Sequence, residues 1–271
     1  MLTPEQNSFY AENGYLLVKG LLSRQEAAAL RAECHDLAAR LSTRRTLDAT
    51  WGSAREVGGS AQKTVLLHCH DVQFQSAAFS RLIVDERLTS IAADIIGPNV
   101  QLHHTKMFIK PPEKGSPFPM HQDAPFFPHD RHSMIAAIVH FDDAPIEKGC
   151  VRVVPGSHKL GLLDHIADGG WHLPPDQYPV ADALPLPAEA GDVLFFSYLT
   201  IHGSGVNSSD EARTTVLIQM RDPADPPTIR THESRGQGMM LAGIDPMCGE
   251  GHAPREEGAA MPMGGAMAAM G

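Results

Sequence analysis

The sequence has few cysteines, fewer basic than acidic residues and no long apolar run. Each of these shortages argues against a class of protein. The four cysteines among 271 residues show no pair at the spacing of a zinc ribbon or a disulfide framework, which favours a reducing compartment. The formal net charge of −10 argues against nucleic acid or an anionic membrane surface as a partner. No apolar run approaches the roughly 20 residues that a membrane-spanning helix needs, and the first ten residues lack the pattern of a signal peptide. A cytoplasmic protein is expected.

Histidine, by contrast, is abundant, with fifteen in the chain. Imidazole is a common metal ligand, so a concentration of histidines raises the expectation of a metal site. We expect most of them to be surface or core residues, including His129, His132 and His140. Of the adjacent pair His103 and His104, at most one can line a pocket, because neighbouring residues of a strand point to opposite faces.

Helix signals come first in the chain and strand signals later. Two capping boxes, beginning at Thr3 and Ser23, predict two helices, and a third is expected over residues 85–96. Short β-rich runs separated by Gly, Pro and Asp turns follow at residues 100–109, 134–141, 151–154, 192–196 and 214–220. This order predicts a mainly β chain of the α+β class, a β-sandwich or jelly roll with helices packed on its outside.

One domain is the default for this length, and we expect it to span residues 1–248. From residue 249 the chain is rich in Gly, Ala, Met and Pro, a composition that cannot bury enough surface to offset its ordering entropy, so residues 249–271 are expected to be a disordered tail. Two internal segments lack a clear period. They are residues 42–59, where Trp51 is a candidate pocket or lid residue, and the proline-rich loop at 161–187.

The stretch PMHQDAP at residues 119–125 places an imidazole and a carboxylate two residues apart. If the stretch is a strand that Pro125 ends, His121 and Asp123 point to the same face. One imidazole nitrogen and one carboxylate oxygen suit iron, manganese or zinc. His202 follows an apolar strand and is the candidate third ligand, which would complete the facial triad that iron(II) oxygenases use. A polar surface loop is the alternative.

Arg213 stands at the head of an apolar strand. If its side chain faces the interior, it needs an anion, because an unpaired buried charge would cost roughly 3–5 kcal/mol. The carboxylate of a ligand is a suitable bidentate partner. The alternative is an exposed arginine paired with Glu211 or Asp210. The same strand alternation places Gln219 on the face of Arg213, as a further polar residue of a pocket.

Together these motifs resemble the phytanoyl-CoA dioxygenase family of iron(II)/2-oxoglutarate oxygenases, from about residue 2 to residue 223. The residues that carry the resemblance are His121-Gln122-Asp123, His202-Gly203-Ser204-Gly205, Arg213 eleven residues after that histidine, Gly149-Cys150, Pro155-Gly156-Ser157-His158-Lys159, Lys110-Pro111-Pro112 and Gly191-Asp192-Val193-Leu194-Phe195-Phe196. The resemblance implies a double-stranded β-helix (a cupin-like jelly roll) with iron(II) between its sheets, 2-oxoglutarate as cosubstrate and O2 as oxidant. It implies that His121, Asp123 and His202 are the iron ligands and the catalytic centre.

The resemblance also implies residues for the cosubstrate. Arg213 would hold the distal carboxylate of 2-oxoglutarate with help from the hydroxyl of Ser204. Lys106 stands where the family often has a cosubstrate-lining methionine, and His68 aligns near a segment that binds cosubstrate or substrate. For His68 an exposed strand residue is the alternative. Ile138 stands where some members have a pocket tryptophan, so we expect a cavity of different shape.

We therefore expect a hydroxylase that acts on a small organic molecule and releases succinate and CO2. The carboxylate of Asp123 favours hydroxylation over halogenation, for which related enzymes have a small residue at this position. Two alternatives remain. A non-catalytic jelly roll that binds a metal or a carboxylate would not need Arg213 as a clamp, and a zinc hydrolase would need an additional general base near the metal. The substrate and the oligomeric state are open at this stage.

Overall fold

The computed structural model of the protein describes residues 1–43, 67–112, 115, 117–167, 171–231 and 233–248. The expected tail at 249–271 lies outside these residues, and so do Trp51 and most of the expected irregular segment. The two residues of that segment that are described, Ser42 and Thr43, belong to a helix. In the part of the chain that is described, no helix is long and apolar enough to cross a membrane.

Four α-helices occur in the described residues: α1 (Pro4–Asn13), α2 (Arg24–Thr43), α3 (Ala77–Ile83) and α4 (Glu86–Ile96). Both predicted capping boxes form. Thr3 and Gln6 bond reciprocally at the start of α1, while the backbone N–H of Ser23 donates to the Glu26 carboxylate at 2.7 Å and the N–H of Glu26 to the Ser23 hydroxyl at 3.2 Å. The short helix α3 was not predicted. Its cap is Ser76, whose side chain accepts from the backbone of the first turn.

The strands of the described residues are β1 (Tyr15–Val18), β2 (Leu67–His70), β3 (Val100–Lys110), β4 (Phe118–His121), β5 (Ile135–His140), β6 (Val151–Val153), β7 (Leu184–Leu186), β8 (Val193–Ser197), β9 (His202–Ser204), β10 (Arg213–Arg221) and β11 (Met240–Ala242). The larger sheet has the order β1-β8-β5-β10-β3-β11, and β2 also pairs with β3. The smaller sheet has the order β4-β9-β6-β7. All of these pairs are antiparallel, so the predicted jelly roll is confirmed.

The larger sheet has a helix-covered face and a face turned toward the smaller sheet. On β5, Ala137 and Val139 pack into the core shared with the helices, while Ala136 and Ile138 pack with residues of the smaller sheet such as Val151. Successive strand residues alternate between these two faces. The side chains on the inner face therefore meet in the space between the sheets, where the polar residues singled out above converge.

Candidate metal centre

Strand pairing in the smaller sheet brings the two predicted histidine ligands together. His121 ends β4 and His202 begins β9, and the two residues are direct register partners. Their ring centroids are 4.2 Å apart. Both side chains are buried. Two residues that are 81 positions apart in sequence therefore form a neighbouring pair because their strands are antiparallel neighbours.

Each imidazole is held by the carbonyl oxygen two residues before it. Nδ1 of His121 lies 2.8 Å from the Pro119 carbonyl and Nδ1 of His202 lies 3.0 Å from the Thr200 carbonyl. A carbonyl only accepts, so Nδ1 carries the proton and Nε2 presents its lone pair to the cavity. Burial, with His121 next to it, lowers the pKa of His202 to about 4, so this ring is neutral at pH 7. Neutral imidazole is the form that binds metals.

Asp123 joins the two histidines by a different route from the one predicted. Strand β4 ends at His121, and Asp123 adopts a helical conformation (φ −77°, ψ −24°) at the start of a 3-10 helix, Ala124–Phe126. The prediction that an extended strand aligns the two side chains was therefore wrong. Instead, the backbone N–H of Asp123 donates to the carbonyl of Tyr198 at 2.9 Å, and this contact fixes the turn.

The carboxylate of Asp123 completes a three-donor cluster. Its Oδ1 lies 3.5 Å from Nε2 of His121 and 3.7 Å from Nε2 of His202. All three donor atoms fall within 4.8 Å of one another, and in the described part of the chain this is the one group of its kind. Burial tends to raise the pKa of Asp123, but the two histidines and a hydrogen bond outweigh it, so the pKa lies below its usual value. The carboxylate is ionised and able to bind a cation.

Gln219 orients this carboxylate from the opposite sheet. Its Nε2 donates to Oδ2 of Asp123 at 2.6 Å, which leaves Oδ1 facing the histidines. The side chain is fully buried, and its Oε1 has no hydrogen-bond partner among the described residues. The sequence predicted Gln219 as a polar pocket residue. The structure adds the specific contact to Asp123, which strand alternation alone could not identify.

The donor set fits a first-row transition metal. Two imidazole nitrogens and one carboxylate oxygen, all from one side, form the facial arrangement that suits iron(II) and leaves other coordination positions open. The cavity above them is mostly apolar, and its lining residues are Phe108, Phe118, His121, Asp123, Ile138, Val151, Phe196, His202, Gly203, Ser204, Arg213, Thr215 and Leu217. Such walls limit the access of water to the metal.

Arg213 lies in the same cavity and is only 4% exposed. It donates through a terminal nitrogen to the carbonyl of Gly149, while its Nε has no partner among the described residues. The alternative prediction, an exposed Arg213 paired with Glu211 or Asp210, was wrong, because the side chain is buried and Glu211 pairs with Lys148. No described carboxylate forms an ion pair with Arg213. Burial lowers the pKa of Arg213 to about 10, so it is still a cation at pH 7.

Ser204 ends β9 and lines the cavity together with Arg213. It is 3% exposed, and its hydroxyl oxygen accepts a hydrogen bond of 2.7 Å from Nζ of Lys110. The predicted serine and arginine therefore lie in one pocket with a second basic residue beside them.

The other two predicted cosubstrate residues lie farther along the larger sheet. Lys106 is the register partner of His70 and of Leu217, and His68 is the partner of Phe108. Phe108 lines the cavity, whereas neither Lys106 nor His68 is among the described lining residues. Both are half-buried, and both point to the same face as Phe108. Their role in binding stays a prediction.

Two buried basic residues near Arg213 were missed by reasoning from the sequence. Lys110 is the register partner of Arg213, and His140, on the neighbouring strand, pairs with Thr215. Both residues have 0% exposure. Lys110 lies one residue past the predicted strand 100–109, whereas His140 lies within the predicted strand 134–141, and strand alternation places both on the inner face. His140 was expected to be a surface or core residue and is a core residue.

His103 and His104 are also buried, and neither of these two is among the described lining residues of the cavity.

A jelly roll whose apolar cavity holds two histidines, an aspartate and an arginine without a described carboxylate partner defines the class of iron(II)- and 2-oxoglutarate-dependent oxygenases. The sequence model of the phytanoyl-CoA dioxygenase (PhyH) family matches residues 10–215. The peroxisomal phytanoyl-CoA dioxygenase of Rattus norvegicus is 31% identical over 235 residues, which are 80% of this chain and 67% of that protein. The chain belongs to the phytanoyl-CoA dioxygenase family.

Other proteins that resemble this chain carry different names. The ectoine dioxygenase of Bordetella parapertussis is 29% identical over 253 residues, covering 83% of this chain and 78% of that protein. Among solved structures, the epimerase SnoN in complex with Fe3+, alpha ketoglutarate and nogalamycin RO superimposes with a TM-score of 0.67 at 25% identity, covering 89% of this chain and 96% of that one. EctD from S. alaskensis, in its apo form, has the same fold, with a TM-score of 0.66 at 20% identity, covering 90% of this chain and 85% of that one.

Proposed function

We propose that this chain is a 2-oxoglutarate-dependent dioxygenase that hydroxylates a C–H bond of a small organic substrate, with His121, Asp123 and His202 as its iron(II) ligands. The observation that carries the proposal is that this triad and the buried Arg213, which pairs with no carboxylate of the described residues, line one cavity. A metal alone would not need the arginine, and a carboxylate alone would not need the triad. A ligand that reaches both must have a metal-binding end and an anionic end.

2-Oxoglutarate has these two ends. Its 2-oxo acid end can chelate a metal through two oxygens, while its distal carboxylate can accept hydrogen bonds from Arg213 and Ser204. The guanidinium is held in place by the carbonyl of Gly149, so it is already oriented before the cosubstrate enters. Iron(II) bound here would use O2 to oxidise 2-oxoglutarate to succinate and CO2 and would deliver the second oxygen atom to the substrate.

The residues of the chain supply orientation and exclusion of water. Gln219 holds Asp123 so that one oxygen faces the metal position, and the two carbonyl contacts hold each imidazole in the tautomer that binds metal. Phe118, Phe196 and Leu217 are among the apolar walls of the cavity. They restrict water near the site at which a reactive oxidant would form.

The cavity does not favour the hydrolase alternative. A zinc hydrolase needs a general base besides its ligands. Among the described lining residues, the titratable groups outside the triad are limited to Arg213, which stays protonated at neutral pH. The non-catalytic alternative predicts binding without turnover, and the following experiment separates the two.

The test is an anaerobic titration of metal-free protein with iron(II) and then with 2-oxoglutarate, followed by the visible charge-transfer band of the chelate. The band should appear in the wild type and be absent in His121→Ala, which lacks one of the two imidazole ligands. Admission of O2 should then convert 2-oxoglutarate to succinate, slowly without a substrate and faster with the right one. A band without any succinate would favour a non-catalytic binding protein, and no band at all would contradict the proposal.

A further inference from the structure

Lys110 occupies a position that the proposed reaction does not yet explain. It is the last residue of β3, directly opposite Arg213 on β10, and it is completely buried. Its Nζ donates two hydrogen bonds of 2.7 Å, to the hydroxyl oxygen of Ser204 and to the carbonyl of Gly205. The ammonium also lies 5.2 Å from the ring centroid of Phe118, a cation–π distance.

The pair Lys110 and Arg213 places two basic groups side by side away from water. Residues directly opposite on antiparallel strands are separated by about 5 Å at Cβ, and like charges there repel. Neither forms an ion pair with a described carboxylate. Asp142 is the carboxylate that acts on the pKa of Arg213, but its own oxygens are bound by the guanidinium of Arg31 and by the backbone N–H of Thr214. A bound anion would relieve this repulsion.

Two titratable groups of the described residues act on the pKa of Lys110. Burial and then the charge of Arg213 lower the pKa of Lys110 well below its usual value, while Cys150, just before β6, acts in the opposite direction. An anion in the cavity would favour the ammonium form. In that form Lys110 has three donors and no acceptor.

The ammonium form of Lys110 determines which hydrogen bonds the hydroxyl of Ser204 can form. Its hydroxyl has one hydrogen and two lone pairs. Since Ser204 must accept from the ammonium of Lys110, its own hydrogen points elsewhere, and the side chain lines the cavity together with Arg213. When Lys110 is an ammonium, the hydrogen of the Ser204 hydroxyl is therefore free to be donated to a ligand in the cavity that Arg213 also lines.

The geometry points to Lys110 as a positioning residue for the distal carboxylate of the cosubstrate: it acts through Ser204, whose hydroxyl it orients as a donor. This inference rests on the proposed function. It predicts that Lys110 contributes to selection of a 2-oxo acid that has a second carboxylate.

The test compares two 2-oxo acids that differ only at the distal end. Binding of 2-oxoglutarate and of 2-oxopentanoate, which has the same chain length and no distal carboxylate, is measured by anaerobic calorimetry on the iron(II)-loaded protein. The variants are Lys110→Met, Ser204→Ala and the double variant, with Lys159→Met, a surface lysine paired with Glu12, as the control.

We expect Lys110→Met to weaken 2-oxoglutarate binding about tenfold to hundredfold while 2-oxopentanoate binding stays unchanged. Ser204→Ala should cause a loss of similar size, and the double variant should lose little more than either single variant, because both remove the same donor. The control should bind both acids like the wild type.

Equal weakening of both acids in Lys110→Met would overturn the inference, since it would indicate a general disturbance of the site. Multiplied losses in the double variant would also overturn it, because Lys110 would then act independently of Ser204. A wild type that binds neither acid would overturn the proposed function itself, and the inference with it. The wild-type measurement thus distinguishes the two failures.

Discussion

Gln219 and Asp123 lie on opposite sides of the jelly roll, and a hydrogen bond of 2.6 Å from the amide nitrogen to Oδ2 joins them. Gln219 belongs to the larger sheet, whereas Asp123 lies two residues past the end of β4 in the smaller one. The contact therefore links the two sheets at the metal centre and selects which carboxylate oxygen faces the histidines.

Replacement of Gln219 by leucine should weaken iron(II) binding about 10- to 100-fold, the usual effect of losing a residue that orients a metal ligand. Anaerobic competition with a chelator measures this affinity. Gln101→Leu is the matched control, because Gln101 is a buried glutamine of β3 that does not line the cavity. Equal metal affinity in the two variants would contradict the orienting role.

Replacement of Arg213 by methionine should weaken 2-oxoglutarate binding by about a hundredfold or more, because the variant loses the charged partner of a buried carboxylate. Iron(II) affinity should change little, since Arg213 is not one of the three metal donors. Parallel titrations with iron(II) and with 2-oxoglutarate separate the two effects. Arg24→Met, which removes two surface ion pairs, serves as the control. An Arg213 variant that loses iron and cosubstrate together would refute the clamp assignment.

Metal binding should stabilise the protein through the triad. Nickel(II), a redox-inert stand-in for iron(II), at a hundred times its dissociation constant should add about 2.7 kcal/mol to the free energy of unfolding. For a domain of this size that corresponds to a rise in Tm of roughly 5–10 °C. His121→Ala should show no such rise in a thermal melt, whereas His35→Ala, on α2 and outside the cavity, should retain it. A full shift in His121→Ala would place the metal elsewhere.

His140 should make stability depend on pH. Burial, with Arg213 nearby, lowers its pKa from 6.5 to about 4, so the unfolded chain binds a proton that the folded protein rejects. The free energy of unfolding is therefore unaffected by this group above pH 6.5 and falls as pH drops toward 4, by up to about 3 kcal/mol. Urea unfolding of metal-free protein at several pH values measures the slope. His140→Leu should reduce the slope without abolishing it, because the pKa of His202 is also lowered to about 4 and that group keeps its own contribution. Superimposable slopes in the wild type and the variant would contradict the contribution of His140.

Much of the fold followed from local signals. The two capping boxes begin helices where the sequence predicted them, because the side chains and backbone groups involved are three residues apart and need no distant partner. The strands that carry Arg213 and Ile138 were also predicted within a residue or two. The helix α3 and the strand β7 were missed, because each is short and its apolar pattern covers too few residues to show a period.

The sequence predicted which residues form the candidate site but did not predict how the backbone brings them together. The types and spacing of His121, Asp123 and His202, together with the resemblance to a known family, were enough to select the three donors. The backbone conformation that brings Asp123 to the two histidines was predicted wrongly. A turn held by the carbonyl of Tyr198 replaces the expected strand. A backbone contact across 75 residues leaves no local trace in the sequence.

The sequence alone predicts which side chains of β10 share a face, because a strand has a period of two residues regardless of its neighbours. That period by itself places Arg213 and Gln219 on one face of the strand. Register is different, since it is set by which strands pair and where each turn ends. The positions of Lys110 beside Arg213, His202 beside His121 and Gln219 across from Asp123 arise from that pairing, and so they emerge only when the two sheets are assembled.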